Sequence, residues 1–146
     1  MLPNSRAPRG ALQAPPGPLT DYPVTVRVED IDHMGHVNNA VYLQWVQSAV
    51  VRHWERIADA EAVARHLWVA LKHEITYRSP AFLTDTIVAT TGIERAAGAK
   101  AQFQTLIRRG DHLLAEVNSL WCCIDHQSHR PVRLPKPTLA RFVASA

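Results

Sequence analysis

Residues 39–57 constrain the fold more than any other part of the sequence, because they predict one long helix that is apolar on most of its sides. Apolar side chains at helical spacing form one face and others widen it: Leu43, Val46, Val50, Trp54 and Ile57, then Val41, Trp45, Ala49 and Val51. A helix with so wide an apolar surface is normally buried on most sides. The rest of the chain must therefore enclose this helix.

Strand-like segments flank the predicted helix, one before it and four after it. Residues 20–29 alternate, with Val24, Val26 and Val28 predicted to face one way. The later strands are predicted at residues 68–78, 86–95, 101–107 and 113–125. In the first of these, the side chains predicted to share one side are Val69, Leu71, Ile75 and Tyr77.

The connections between the later strands are short. Ala96, Ala97 and Gly98 predict one tight turn, and residues 109–111 predict another. Consecutive strands with short connections pair antiparallel. The sequence therefore predicts an α+β domain in which an antiparallel sheet packs on one long helix, with a short terminal helix at residues 137–144.

The first 19 residues differ in composition from the rest of the chain. They hold Pro3, Pro8, Pro15, Pro16 and Pro18 together with Gly10 and Gly17. Such a segment cannot bury a core, so residues 1–19 are expected to be a disordered tail. The remaining residues, 20–146, are expected to form one domain.

Composition excludes several classes of protein. No apolar run is long enough to span a membrane, and no apolar segment follows Met1 as a secretory signal would require. Cys122 and Cys123 are adjacent and not expected to pair, which indicates a reducing compartment and hence the cytoplasm. The net charge of +3 comes without the aromatic and basic stripe that single-stranded nucleic acids require, so no nucleic acid is expected. Mild positive charge does suit an anionic small molecule.

The loop before the helix concentrates polar groups. Asn38 is predicted to cap the helix, which leaves the backbone N–H groups from Asn39 onward without partners. A helix N-terminus favours an oxygen that gains negative charge. Asp32 lies a few residues upstream, so the loop supplies an oxyanion binder beside a candidate base or nucleophile.

The same loop contains side chains of the types that bind metal ions, namely two aspartates and two histidines. A calcium loop starting at Asp30 would need an oxygen ligand at Met34 and a glutamate at Val41, so calcium is excluded. His33 and His36 could bind zinc together with the two aspartates, but no further ligand set converges with them in the sequence. No metal and no other cofactor is therefore expected.

A family resemblance rests on the pattern Asp30-x-Asp32-x-x-Gly35-His36-Val37-Asn38-Asn39-x-x-Tyr42. This pattern resembles the signature of hotdog-fold acyl-CoA thioesterases of the 4-hydroxybenzoyl-CoA thioesterase type, and the resemblance extends over residues 20–134. It implies a five- or six-stranded sheet wrapped around the helix. It also implies a homodimer or homotetramer whose protomers join their sheets, with the active site at their interface.

The implied reaction is hydrolysis of an acyl-CoA, or of an acyl group on acyl carrier protein, to a free carboxylic acid and the thiol. The resemblance makes Asp32 the catalytic carboxylate, as nucleophile or as general base, and places the thioester oxygen at the backbone N–H of Asn39. Asp32 could instead only cap a turn. The alternative function is a non-catalytic acyl-CoA-binding or sensing module on the same fold.

Further residues are expected at the site on the same grounds. His36 would hold Asp32 or touch the thioester, unless it is structural, and Gly35 would supply a backbone conformation that a Cβ forbids. Tyr42 would line the acyl pocket or, preferably, pack in the core. Three cations are candidates for binding the phosphates of coenzyme A, namely Arg78, Arg95 and Lys100. The alternative is that they are solvated surface charges.

One position departs from the family pattern. Many relatives carry a glutamate on the helix where this chain has Gln47. An amide cannot ionise, so a mechanism that needs two carboxylates is in doubt. Asp32 would then carry more of the chemistry.

Overall fold

A five-stranded antiparallel sheet in the order β1-β3-β4-β5-β2 forms one layer of the fold. The strands are β1 (Leu19–Val24), β2 (His66–Tyr77), β3 (Ile87–Ala97), β4 (Lys100–Arg109) and β5 (His112–Asp125). The helices are α1 (Val41–Ile57), α2 (Ala60–Arg65) and α3 (Lys136–Val143). The structure is a computed structural model that describes residues 15–143, so most of the predicted N-terminal tail, residues 1–14, lies outside the described residues.

Helix α1 lies over β1 and β3 and buries its apolar face against the sheet. We call the face of the sheet that α1 covers the inner face. Its side chains on β4 include Ala101, Phe103, Thr105 and Ile107, all buried as the alternation of that strand predicts. Phe142 of α3 packs against His53 and Trp54 of α1 and completes the core at the far end of the helix. The α+β hotdog architecture expected from the sequence is confirmed.

Strand β2 departs from its predicted alternation because a bulge shifts its register against β5 between Ala70 and Lys72. One extra residue reverses the side to which the following side chains point. Trp68 therefore contacts Trp54 in the core, whereas Val69 and Leu71 are 43% and 51% exposed. The prediction that Val69 and Leu71 share a side with Ile75 is wrong for this reason.

Strand β1 is shorter than predicted and ends at Val24. Residues Val28–Asp30 form a 3-10 turn instead, in which the Asp30 carboxylate accepts the Arg27 N–H at 2.9 Å. Val28 consequently projects into solvent, and its predicted place beside Val24 on one face is wrong. The turn redirects the chain from the sheet toward the polar loop.

Among the described residues, no helix is long and apolar enough to cross a membrane.

Candidate active site

Residues 31–37 form a tight loop closed by pairing between Ile31 and Val37. The Asp32 N–H donates to the His36 carbonyl at 3.0 Å, so these two residues lie opposite each other. Gly35 turns the chain between them at φ 87°, a conformation that side chains with a Cβ rarely adopt. The expectation that Gly35 supplies a backbone conformation that a Cβ forbids therefore has a geometric basis.

The loop is anchored to the body of the domain by two backbone hydrogen bonds. The Val37 N–H donates to the Ala81 carbonyl, and the Asn38 N–H donates to the Asp30 carbonyl, both at 2.8 Å. Val37 and Asp30 are buried. The first contact holds the loop against the connection between β2 and β3, and the second joins the end of the loop to the 3-10 turn that precedes it.

The two aspartates of the loop have different environments. Asp30 is 4% exposed, and its carboxylate is committed to the backbone and guanidinium of Arg27. Asp32 is half-buried, and its Oδ1 accepts the Met34 N–H at 2.9 Å. Its Oδ2 has no hydrogen-bond partner among residues 15–143. Asp32 thus caps a turn with one oxygen and leaves the other without a partner among the described residues. The turn cap and a reacting carboxylate are therefore compatible interpretations of this residue.

The start of α1 leaves one backbone donor available. The side chain of Asn38 accepts the Ala40 N–H at 2.9 Å, and its carbonyl accepts the Val41 N–H at 2.9 Å. The Asn38 side chain therefore caps the turn that leads into the helix, whereas α1 itself begins at Val41 with Ala40 at its N-cap position and no side-chain cap there. Within the described part of the chain, the N–H of Asn39 has no acceptor, which makes it the candidate oxyanion donor.

A cleft of about 270 Å³ opens at this end of α1. It is lined by His36, Val37, Asn39, Tyr42, Tyr77, Arg78, Ser79 and Pro80. Asp32 is not part of the lining, but its backbone is bonded to that of His36, which is. The structure therefore brings together most of the residues expected from the sequence.

Tyr42 belongs to the core and to the cleft at once. It is buried, with its ring 4.9 Å from Trp45 and edge-on to Tyr77 at 5.1 Å. Burial raises the pKa of the Tyr42 hydroxyl above its ordinary value, so this phenol stays neutral at physiological pH. Its ring forms a neutral wall of the cleft.

The three candidate cations do not converge within one protomer. Arg78 borders the cleft, and its Nε donates to Glu116 at 2.6 Å. Lys100 pairs with Cys122 near the end of β5, whereas Tyr77, next to Arg78, pairs with Ala115 near its start. These two rows are roughly 23 Å apart along the strand. Arg95 and Lys100 thus flank the β3–β4 turn at the opposite end of the sheet.

A serine and a histidine at the cleft were not singled out by sequence reasoning. The Ser79 hydroxyl and the His112 Nε2 are 2.8 Å apart, and Ser79 lines the cleft. Such a pair resembles an activated nucleophile. However, the other ring nitrogen of His112 has no hydrogen bond from the described residues to orient it. No local signal could have revealed this pair, because the two residues are 33 positions apart.

Tyr77 was also missed as a site residue, since the strand pattern used it only as an alternating side chain. Its hydroxyl donates to the Asn39 carbonyl at 2.8 Å. Gln47 is exposed on α1 and does not line the cleft; it lies about 12 Å along the chain from Asn39 at helical rise. In the described part of the chain, no group of three or more His, Cys, Asp or Glu side chains could hold a metal ion.

Comparison with known proteins adds a family and relatives. A model of the thioesterase-like superfamily matches residues 26–142. The long-chain acyl-CoA thioesterase FadM of Escherichia coli (strain K12) is 27% identical over 119 residues, which cover 76% of this chain and 87% of that protein.

Solved structures also resemble this fold. A probable thioesterase from Bartonella henselae has 25% sequence identity and a TM-score of 0.70, covering 82% of this chain and 99% of that one. A thioesterase from Thermus thermophilus, complexed with coenzyme A and Zn, has 22% identity and a TM-score of 0.73. That alignment covers 86% of this chain and 95% of the other.

Proposed function

This chain belongs to the thioesterase-like superfamily, and from that premise we propose that it hydrolyses an acyl-CoA to a free carboxylic acid and coenzyme A. The family model spans most of the chain, and a long-chain acyl-CoA thioesterase is among its relatives. The observation that carries the proposal is the Asn39 N–H at the start of α1, which has no acceptor among residues 15–143. It lies in a cleft lined by His36, whose backbone is hydrogen-bonded to that of Asp32.

In the proposed reaction, these groups stabilise the negative charge that develops on the thioester oxygen. The thioester carbonyl oxygen accepts a hydrogen bond from the Asn39 N–H, and the positive end of the α1 dipole stabilises the negative charge that develops there. The oxyanion then collapses and expels the thiolate of coenzyme A. The free carboxylic acid is the other product.

Asp32 supplies the attacking group in one of two ways. As a nucleophile, its Oδ2 attacks the carbonyl carbon, gives a mixed anhydride, and is released when water hydrolyses that anhydride. As a general base, it takes the proton of a water that attacks instead. Gln47 cannot ionise, so the chemistry rests on one carboxylate. Arg78 is the proposed phosphate contact, because of the three candidate cations it alone lines the cleft.

We further propose that two protomers pair through β2. In the part of the chain that the structure describes, both ends of the sheet order are open edges, but β1 has six residues and contains Pro23, whereas β2 has twelve. Along β2, the apolar side chains of Leu67, Val69 and Leu71 are exposed. A long apolar edge is normally covered. The cleft of about 270 Å³ is small for an acyl-CoA, and a second copy would enlarge it. With a second copy present, Arg95 and Lys100 could also contact the ligand.

The cytoplasm is the proposed location. Cys122 and Cys123 are free and buried in β5. Burial raises the pKa of the Cys123 thiol to about 12, so it stays protonated and unreactive. Two such neighbouring thiols suit a reducing compartment.

The test is hydrolysis of short, long and aromatic acyl-CoAs, followed by release of free thiol. Asn39→Pro removes the N–H without breaking a structural hydrogen bond, and a helix start tolerates proline. We expect it to lower turnover by about a hundredfold or more, whereas Asn39→Ala, which keeps the N–H, stays within several-fold of wild type. Binding of acyl-CoA without hydrolysis would instead favour the non-catalytic sensing module.

A further inference from the structure

Three neighbouring side chains on the inner face of the sheet carry buried polar atoms that have no hydrogen-bond partner among residues 15–143. They are Nδ1 of His73, Oγ of Ser119 and Nε1 of Trp121. Buried polar atoms in folded proteins nearly always have a hydrogen-bond partner, because leaving one unpaired costs stability. Their grouping therefore requires an explanation.

The three residues form a compact group. His73 of β2 and Ser119 of β5 are directly opposite each other in the strand register. The rings of His73 and Trp121 meet edge-on with their centroids 5.8 Å apart. Ser119 and Trp121 are 0% and 1% exposed, whereas His73, on the edge strand β2, is half-buried.

Elsewhere on the same face, the chain pairs its buried hydroxyls. Thr91 of β3 and Thr105 of β4 are both buried, and their hydroxyl oxygens are 2.9 Å apart in a hydrogen bond. The unpaired Ser119 is thus not a general property of this sheet. The other orphaned nitrogens of the inner face, on His53, Trp54 and Trp68, belong to rings packed around Phe142 at the far end of α1.

The group lies beside the part of the sheet that α1 leaves open. Because α1 covers β1 and β3, the inner side chains in the middle of β2, namely Ala70, His73 and Ile75, are only half-buried. We call this strip along β2, from Tyr77 to Ala70, the inner β2 strip. At one end, Tyr77 is bonded to Asn39 and borders the candidate active site. His73 lies roughly 13 Å further along the strand.

We propose that His73, Ser119 and Trp121 form a hydrogen-bonding subsite that takes an oxygen, as hydroxyl or keto group, on the acyl chain of the substrate. This inference rests on the proposed thioesterase function and specifies its substrate class. The subsite lies at a medium chain length from the thioester, so the acyl group carries its oxygen near the far end of a chain that lies along the inner β2 strip.

The donors and acceptors match such an oxygen. The indole N–H of Trp121 only donates, whereas the Ser119 hydroxyl and the His73 imidazole can each donate or accept. A substrate hydroxyl can accept from Trp121 and donate to Ser119 or His73. An unsubstituted chain leaves all three unpaired, and sites built for a hydroxyl discriminate against its absence for that reason.

The experiment compares decanoyl-CoA with ω-hydroxydecanoyl-CoA, whose hydroxyl reaches the distance of the subsite. We expect wild type to prefer the hydroxylated substrate in kcat/KM by at least about tenfold. Ser119→Ala and, separately, His73→Phe should reduce that preference while hydrolysis of decanoyl-CoA continues. Thr105→Val, which changes an already paired hydroxyl on the same face, should leave the preference intact.

Thermal unfolding gives a second measurement on the free protein. Replacing an unpaired buried hydroxyl with a methyl group should leave the Tm of Ser119→Ala equal to or above that of wild type, whereas Thr105→Val should lower it. A clear loss of Tm in Ser119→Ala would show that Ser119 has a structural partner and would overturn the subsite.

Two other results would also contradict it. Equal kcat/KM for both substrates in wild type, or a ratio that Ser119→Ala and His73→Phe leave unchanged, overturns the subsite while the thioesterase function stands. If no acyl-CoA is hydrolysed, the proposed function fails instead. Calorimetric binding of ω-hydroxydecanoic acid against decanoic acid then decides the subsite by itself, and equal affinities would refute it.

Discussion

The hydroxyl of Tyr77 donates a 2.8 Å hydrogen bond to the backbone carbonyl of Asn39, and so ties the end of strand β2 to the residue that carries the proposed oxyanion donor. Preorganised donors stabilise a transition state because they need not reorient during the reaction. The edge strand thus contributes to the site although it supplies no reacting group.

Removing that hydroxyl should loosen the donor. We expect Tyr77→Phe to lower kcat several-fold and the free energy of unfolding by about 1 kcal/mol, the usual net value of one hydrogen bond. Tyr22→Phe is the control, because the described residues offer no hydrogen bond to the Tyr22 hydroxyl. Steady-state kinetics and urea unfolding measure both effects. Equal kinetics in the two variants would show that the contact does not position Asn39.

Asp30 and Asp32 should respond differently to the same substitution. Asp32→Asn keeps an oxygen for the Met34 N–H but loses the reacting carboxylate, so kcat should fall about a hundredfold or more with little change in stability. Asp30→Asn weakens charge-assisted contacts of a buried group with Arg27 and should lower the free energy of unfolding by about 1–3 kcal/mol. The folded Asp30→Asn protein should retain most of its turnover. The reverse pattern would mean that Asp30 is the catalytic acid.

The Ser79–His112 pair offers a different nucleophile and is tested by Ser79→Ala. We expect kcat to change by less than about tenfold, since His112 lacks the orienting partner of an efficient base. A mass-spectrometric search for an acyl-enzyme on Ser79 complements the kinetics. A loss as large as that of Asp32→Asn, or acylated Ser79, would transfer the chemistry to this hydroxyl.

Substitutions at two equally exposed valines test the proposal that two protomers pair through β2. Val69 on β2 and Val51 on α1 are both 43% exposed. A lysine on the edge strand should block strand pairing, so Val69→Lys should be monomeric in light scattering and lose most of its activity. Val51→Lys should match wild type in mass and turnover. If only Val51→Lys dissociates, the protomers associate through α1.

His53 makes stability depend on pH. Its ring is fully buried with Nδ1 2.7 Å from the Thr20 hydroxyl, and burial, with a smaller effect of Arg56, lowers its pKa from 6.5 to about 4. Between these values the unfolded chain binds the proton and the folded one does not. Stability should therefore be complete above about pH 6.5 and fall progressively as the pH drops toward 4, by up to about 3 kcal/mol.

The measurement is the free energy of unfolding from pH 7 to pH 4 in wild type and His53→Gln. The difference between them isolates the histidine from other titrating groups. The difference in free energy of unfolding between wild type and His53→Gln should become smaller as the pH falls, because wild type loses stability when His53 is protonated in the unfolded chain, whereas glutamine binds no proton. A difference that stays constant across this range would show that the His53 pKa is not depressed.

Local patterns account for the parts of the fold that were predicted well. Each helix or strand buries one face, so residues close together in the chain predict it. Examples are the apolar positions of α1 and the alternation of Ala101, Phe103, Thr105 and Ile107 in β4. The errors arose where hydrogen bonds interrupt a pattern. The Asp30–Arg27 turn ends β1 before Val28, and the bulge after Ala70 reverses part of β2.

By itself, the sequence determined the α+β class, the long buried helix and the polar loop that holds Asp32 and Asn39, since all three depend on residues close together in the chain. The tertiary structure decided which of these groups are available. It pairs Asp30 with Arg27 and leaves the Asn39 N–H without an acceptor among residues 15–143. It also brings Tyr77 onto Asn39, separates Arg95 and Lys100 from Arg78, and groups His73 with Ser119 and Trp121. Each of these relationships depends on how distant segments pair and pack, and no periodicity within a segment records that.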